Sequence, residues 1–263
     1  MPLYSKYFRD MFVTAEMLEV FSEKSQFSSW LETEAAIAKV QGMLGMIPEN
    51  ASAGIQKAAK LENLNMDLMR EEYLRVGFPI LPLVQQLTAA CDEESARWVH
   101  WGATTQDIID TGLILQIRRG LNLLEAELLA VMAAVASLAD EHRNTVMTGR
   151  TFKQQAVPIT FGFKAAIWLD ELQRHFQRLQ QVKSRALVCS YGGAVGNLSA
   201  LGDDGYKVVA VLAQELDLVE PPITWHTSRD GLAEIIYWLA SLGSTLGKIG
   251  NDVAALMSSE IAE

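Results

Sequence analysis

Three long stretches with apolar residues at helical spacing constrain this chain more than any other feature: Leu113–His142, Phe163–Val188 and Leu232–Met257. In the second, Ile167, Leu172, Phe176, Leu179 and Val182 fall on or near one face; in the third, Leu232, Ile236, Leu239, Leu246, Ile249 and Val253 form a narrow seam. A stripe of that length must be covered, and long helices packed against one another cover it. Gly243, Gly247 and Gly250 interrupt the third stretch at a cost of roughly 1 kcal/mol each relative to Ala, so a closely approaching neighbour helix is expected there. Strand patterning is nearly absent. The expected fold is therefore all-α, with a small helical N-terminal domain over 1–110 and a bundle of long helices over 111–263.

The front region reads as shorter helices. "AEMLEVFSEKSQFSSWLETEAAIAKVQGMLGMIP" divides near Ser25, the stretches opening at Asn50 and Asn65 carry Asn as a cap, and "GFPILPLVQQLTAAC" turns helical after Pro82. With 263 residues, 49% hydrophobic and 21% charged, the chain can bury a sizeable core and lies far from disordered compositions. A net charge of −10 argues against nonspecific nucleic-acid binding, and an anionic small substrate would need positive groups concentrated locally. Cys91 and Cys189 lack metal-ligand spacing and read as buried small hydrophobes in a reducing compartment. The opening is not a signal peptide and no apolar run reaches the ~20 residues of a membrane span, so a cytoplasmic protein without a membrane partner is expected.

Four polar, glycine-bearing segments punctuate the helices. "VHWGATTQDIIDTG" (99–112) offers Thr and Asp either as a helix cap or beside an anion, since the free N–H groups of a first helical turn favour both. "GRTFKQQAVPITFG" (149–162) precedes the second long helix, with Pro158 as its opener. "YGGAVGNLSALG" (191–202) has glycines that let backbone N–H groups approach a ligand closely. "TWHTSRDG" (224–231) places His226 and Arg229 three apart, near enough to share a face, with Arg229 free to pair instead with Asp230. Four such segments at the ends of patterned helices suggest one pocket at helix ends, or pockets between subunits. His142 and His175 lie among charged helical residues and receive no role.

In this order the four segments resemble the fumarase/aspartase superfamily, in particular its 3-carboxy-cis,cis-muconate cycloisomerase and adenylosuccinate lyase branches. The resemblance extends over essentially the whole chain, from "MLEVFSEKSQFSSWLETEAAIAKV" onward. It implies an all-α homotetramer whose active sites draw on three subunits, acting on a small polycarboxylate through an aci-carboxylate carbanion, with no metal or organic cofactor. It further implies that Thr104, Thr105 and Asp107 form a substrate-binding turn, that Thr151 and Gln154 contact substrate, and that Arg229 lies near it; His100, Gln155 and His226 are secondary candidates. Hydroxyl, amide and guanidinium donors around a carboxylate that gains charge suit that chemistry.

Two departures sharpen the expectation. Beside Thr151, lyases that expel an alcohol or amine carry a histidine; here Phe152 stands, and it cannot supply a proton. The cycloisomerase branch has an aromatic residue there, and in the reverse, ring-opening direction its leaving group is a carboxylate, which needs no acid because the conjugate acid has a pKa of about 4. Phe152 thus favours lactonization, although Gln155 replaces a histidine common in that branch. The second departure is the serine-bearing mobile loop that supplies the base, expected beyond Glu263; the chain then reads as a fragment without turnover of its own. The alternatives are a C–N lyase releasing fumarate, disfavoured by Phe152 and the missing early Arg-Tyr pair, and a noncatalytic helical scaffold.

Overall fold

The chain, as a computed structural model, is described for Ser5 and residues 7–263. Among these residues the elements in order are α1 (Ala15–Val20), α2 (Glu23–Met43), α3 (Glu49–Ala58), α4 (Met66–Val76), α5 (Ile80–Ala90), α6 (Glu93–Ala96) and α7 (Thr105–Glu141). A hairpin of β1 (Val146–Thr151) and β2 (Gln154–Thr160) leads into α8 (Phe161–Ala186), followed by α9 (Gly205–Glu215) and α10 (Asp230–Leu256). The fold is all-α apart from that hairpin.

Local capping chemistry sets several boundaries away from the expected places. Ser22 accepts the Ser25 N–H at 3.1 Å and starts α2, so the front helices part at Phe21–Ser22 rather than near Ser25. Asn65 does cap α4, accepting from Asp67 N and Leu68 N, whereas α3 starts one residue ahead of Asn50 behind Pro48. Helix α5 begins at Ile80, ahead of Pro82, because a proline within the first turn forfeits no intrahelical N–H bond. The first long helix begins at Thr105 instead of Leu113.

The hairpin is the main departure from the helical expectation. Pro158 does not open a helix; it pairs with Thr148 inside β2, and α8 starts at Phe161. The turn residues Phe152 and Lys153 both have positive φ, 49° and 60°, as a two-residue hairpin loop requires, but neither is the Asn or Gly that usually announces one. A register shift at Gly149 tightens the pair: a Cβ there would sit 2.7 Å from the Val157 carbonyl oxygen.

By compactness the chain divides into two units: residues up to Gly120 with Leu187–Arg229, and Leu121–Ala186 with Asp230–Glu263. Helix length alone had suggested a division into 1–110 and 111–263. In the first unit, Leu31, Ile37 and Val40 of α2 pack with Ile55, Leu83, Ile108, Leu115, Val208 and Leu212. Gly112 lets α7 lie directly on Trp30, since a Cβ there would meet the indole at 2.5 Å. Cys189 is buried in this core as expected, while Cys91 is only half-buried.

In the second unit α8 packs on α10 through Trp168, Leu172, Leu179, Trp238 and Leu242. Among the described residues no helix closes on Gly243, Gly247 or Gly250, where an added Cβ would meet nothing within 4 Å. Ile236, Leu239, Leu246 and Val253 of the predicted seam are exposed instead. Helix α7 is long and apolar enough to cross a membrane by length and composition, which corrects the expectation that no segment qualifies; core helices meet the same measure.

Candidate functional site

The start of α7 gathers most of the predicted site. Asp107, the third residue of the helix, is fully buried, and its carboxylate accepts four hydrogen bonds. Oδ2 takes the N–H of Thr104 at 2.9 Å and of Gly193 at 3.0 Å; Oδ1 takes Gly192 N–H at 2.8 Å and His226 Nε2 at 2.6 Å. The bond to Thr104 is half of a capping box, so the cap reading of this segment holds. Because all the acceptor positions are used, Asp107 orders the turn that holds Thr104 and Thr105 rather than facing a ligand itself. The same geometry corrects the reading of the 191–202 loop: two of its N–H groups do bind an anion, and the anion is the protein's own carboxylate. Glycine is needed for this approach, since Gly193 has φ +73° and a Cβ on Gly192 would press on Thr224 at 2.6 Å.

An ionised carboxylate can only accept, so His226 carries its proton on Nε2 and leaves Nδ1 open. One turn further along α7, the buried Asp110 accepts from Arg229 Nη1 at 2.9 Å through Oδ1, while its Oδ2 has no partner among the described residues. Arg229 also donates to the His226 carbonyl and lies with its guanidinium 5.6 Å from the Trp225 ring centre. The pairing of Arg229 with its neighbour Asp230 does not occur. Arg229 remains 42% exposed, so the cation is anchored without being enclosed.

His100 stands on the other flank of the same turn. Its Nδ1 is 2.6 Å from Glu34 Oε1 on α2. Burial alone would lower the imidazole pKa, but the bond and charge of Glu34, with the field of Asp107, outweigh it and raise the pKa above the ordinary histidine range. The neighbouring Tyr191 hydroxyl donates to the Trp101 carbonyl and accepts from Gln41; burial pushes its pKa up, so it stays protonated. Burial likewise pushes the Cys189 thiol to about 12, which removes it as a nucleophile.

The first unit therefore brings Thr104, Thr105, Asp107, His100, His226 and Arg229 together. The side chains of Thr104 and Thr105 make no hydrogen bond among the described residues. Thr151, Gln154, Gln155 and Phe152 belong to the second unit, at the exposed tip of the hairpin, where Thr151 pairs with Gln154 across the turn and Phe152 is 97% exposed. Residue reading missed Glu34 and Asp110. Asp110 carried a signal, since it follows Asp107 by three as Arg229 follows His226; Glu34, inside a helical run, carried none. Among the described residues no three His, Cys, Asp or Glu side chains converge as a metal site.

Residues 12–263 match the family model described as Lyase. The chain is 42% identical over 255 residues to 3-carboxy-cis,cis-muconate cycloisomerase of Pseudomonas aeruginosa, covering 96% of this chain and 56% of that protein. It is 41% identical over 254 residues to trans-aconitate decarboxylase 1 of Mycosarcoma maydis, covering 97% and 52% respectively. The crystal structure of fumarate lyase from Mesorhizobium sp. BNC1 superposes with a TM-score of 0.90 at 47% identity, covering 94% of this chain and 58% of that one. The chain thus spans about half to three-fifths of these relatives, whose names differ on the reaction.

Proposed function

The chain belongs to the lyase family of the fumarase/aspartase superfamily, and from that premise we propose that it binds a small polycarboxylate beside the start of α7 as its contribution to an enzyme that cycloisomerises a 3-carboxy-cis,cis-muconate-like substrate. The observation that carries this reading is the clustering at one helix N-terminus of Thr104, Thr105, His100 and Arg229 in a chain of net charge −10. Hydroxyls, a helix N-terminus and anchored cations are the donors that an aci-carboxylate needs as it gains charge. Thr151 and Gln154 are assigned further substrate contacts, and Phe152 fits a carboxylate that adds to the double bond and, in the reverse direction, departs without an acid.

A second reading, elimination from a C–N substrate with release of fumarate, is favoured by one observation. Asp107 holds His226 with Nδ1 open, an arrangement that can carry a proton independently of position 152. Product analysis of that enzyme with 3-carboxymuconate, adenylosuccinate, argininosuccinate and trans-aconitate distinguishes the two: lactone from the first alone supports cycloisomerisation, and fumarate from either succinyl substrate overturns it.

The working form is assigned as a homotetramer in the cytoplasm, with sites shared between subunits. Its support is the uncovered apolar face of α10, where Ile236, Leu239, Leu246 and Val253 are exposed beside open glycines, and the apolar stretch of α7, of which 22% is buried. A monomer by analytical ultracentrifugation would overturn that assignment.

A further inference from the structure

Glu34 is the most costly side chain in the first unit for which the proposed reaction has no use. It is 1% exposed, its Oε1 meets only the ring of His100, and its Oε2 has no partner at all among the described residues. An ionised carboxylate left half-satisfied in a core is strongly unfavourable, and a core position on α2 between Thr33 and Ala35 offers no local reason for one. His100 is itself held unusually, with φ at +61°, in the left-handed region that non-glycine residues avoid. Its carbonyl accepts the Ala103 N–H at 3.2 Å, so this strained residue forms the turn that delivers the chain into Thr104 and the first turn of α7. Two unfavourable features, a buried carboxylate and a strained histidine, meet at one 2.6 Å contact.

We infer that Glu34 is a positioning residue acting through His100: it fixes the ring by Nδ1 so that Nε2–H is offered to a carboxylate of the ligand bound beside Thr104 and Thr105. With Nδ1 engaged, Nε2 is the one ring nitrogen left to meet a ligand; it has no hydrogen-bond partner among the described residues and is not enclosed. The charged groups facing the ring are Glu34 from α2 and Asp107 from α7, both negative, and Asp107 is already committed to its four donors. Both favour the doubly protonated ring, which turns His100 into a local cation in an acidic chain. The inference rests on the polycarboxylate reading above and adds to it a residue distant in sequence from every site motif.

The test is a pair of measurements on the protein and on Glu34→Gln, Glu34→Asp, His100→Gln and the double variant Glu34→Gln/His100→Gln. Ring nitrogen NMR follows the His100 tautomer and titration, and calorimetry follows the affinity for tricarballylate, a saturated tricarboxylate, between pH 6 and 9. Glu34→Gln is expected to shift the His100 titration to lower pH and to weaken tricarballylate binding about tenfold at neutral pH. The parent's affinity falls as pH rises through the His100 titration, and in Glu34→Gln that fall begins at lower pH. Glu34→Asp keeps the charge and recovers part of the loss. The double variant binds no more weakly than His100→Gln alone, because the effect passes through the ring. An unmoved His100 titration, or parent-like affinity and pH profile in Glu34→Gln, overturns the role of Glu34. Absence of tricarballylate binding by the parent at every pH overturns the polycarboxylate reading instead.

Discussion

Asp107 Oδ1 lies 2.6 Å from His226 Nε2, across 119 residues of chain, and the same carboxylate holds the backbone of Gly192, Gly193 and Thr104. A single buried anion thereby joins three segments that residue reading had each assigned to a ligand. The next turn of α7 repeats the pattern, with Asp110 holding Arg229. Two carboxylates three residues apart meet two bases three residues apart.

Asp107→Ala removes the acceptor of four donors at once and leaves them buried. Urea denaturation is expected to register a loss of about 3–5 kcal/mol, the range for one partner deleted from a buried, hydrogen-bonded charge network. A variant as stable as the parent would contradict the clamp.

Arg229→Met leaves Asp110 buried with neither oxygen paired. Because the guanidinium is partly solvated, the expected cost is reduced to about 1–2 kcal/mol. Adding Asp110→Leu, which removes the stranded charge, should recover most of it; a double variant weaker than the single one would mean that Asp110 has another partner.

Phe152→His places an imidazole at the hairpin tip beside Thr151. If the reaction is lactonization, the turnover rate does not rise, since the carboxylate that adds to the double bond, and that leaves in the reverse, ring-opening direction, requires no acid. A large gain would shift the assignment to a substrate with a poorer leaving group.

His175 of α8, without a role by sequence, is buried in a small polar network of the second unit. Thr245 donates its single hydroxyl hydrogen to Glu171 and so accepts from His175 Nε2 at 2.8 Å, leaving Nδ1 enclosed without a partner among the described residues. Burial, reinforced by the charges of Arg178 and Arg174, lowers its pKa below the ordinary value. The unfolded chain then binds a proton more readily than the folded one. The stability it contributes is complete above about pH 6.5 and is lost as pH falls through the lower folded value. Thermal melts from pH 8 to 5 should fall more steeply for the parent than for His175→Gln; parallel curves would remove His175 from the acid sensitivity.

Helix class, the three long elements and the polar segments between them follow from local rules, because periodic apolar spacing, Asn and Ser caps and proline act over a few residues. Asn65 caps where expected, and Ser22 moves the break between the front helices by about three residues and changes nothing else. The 146–160 hairpin escaped that reading since its turn, Phe152–Lys153, uses positive φ without glycine or asparagine, a conformation maintained by the paired strands rather than announced by the residues. The partners of the site residues lay further out of reach. Glu34 with His100, Asp107 with His226 and Asp110 with Arg229 are separated by 66, 119 and 119 residues. Residue types and spacing dictate which side chains can accept or donate a proton, but a buried carboxylate takes whichever donors the packed helices bring within 3 Å, and that selection exists only once the core has closed.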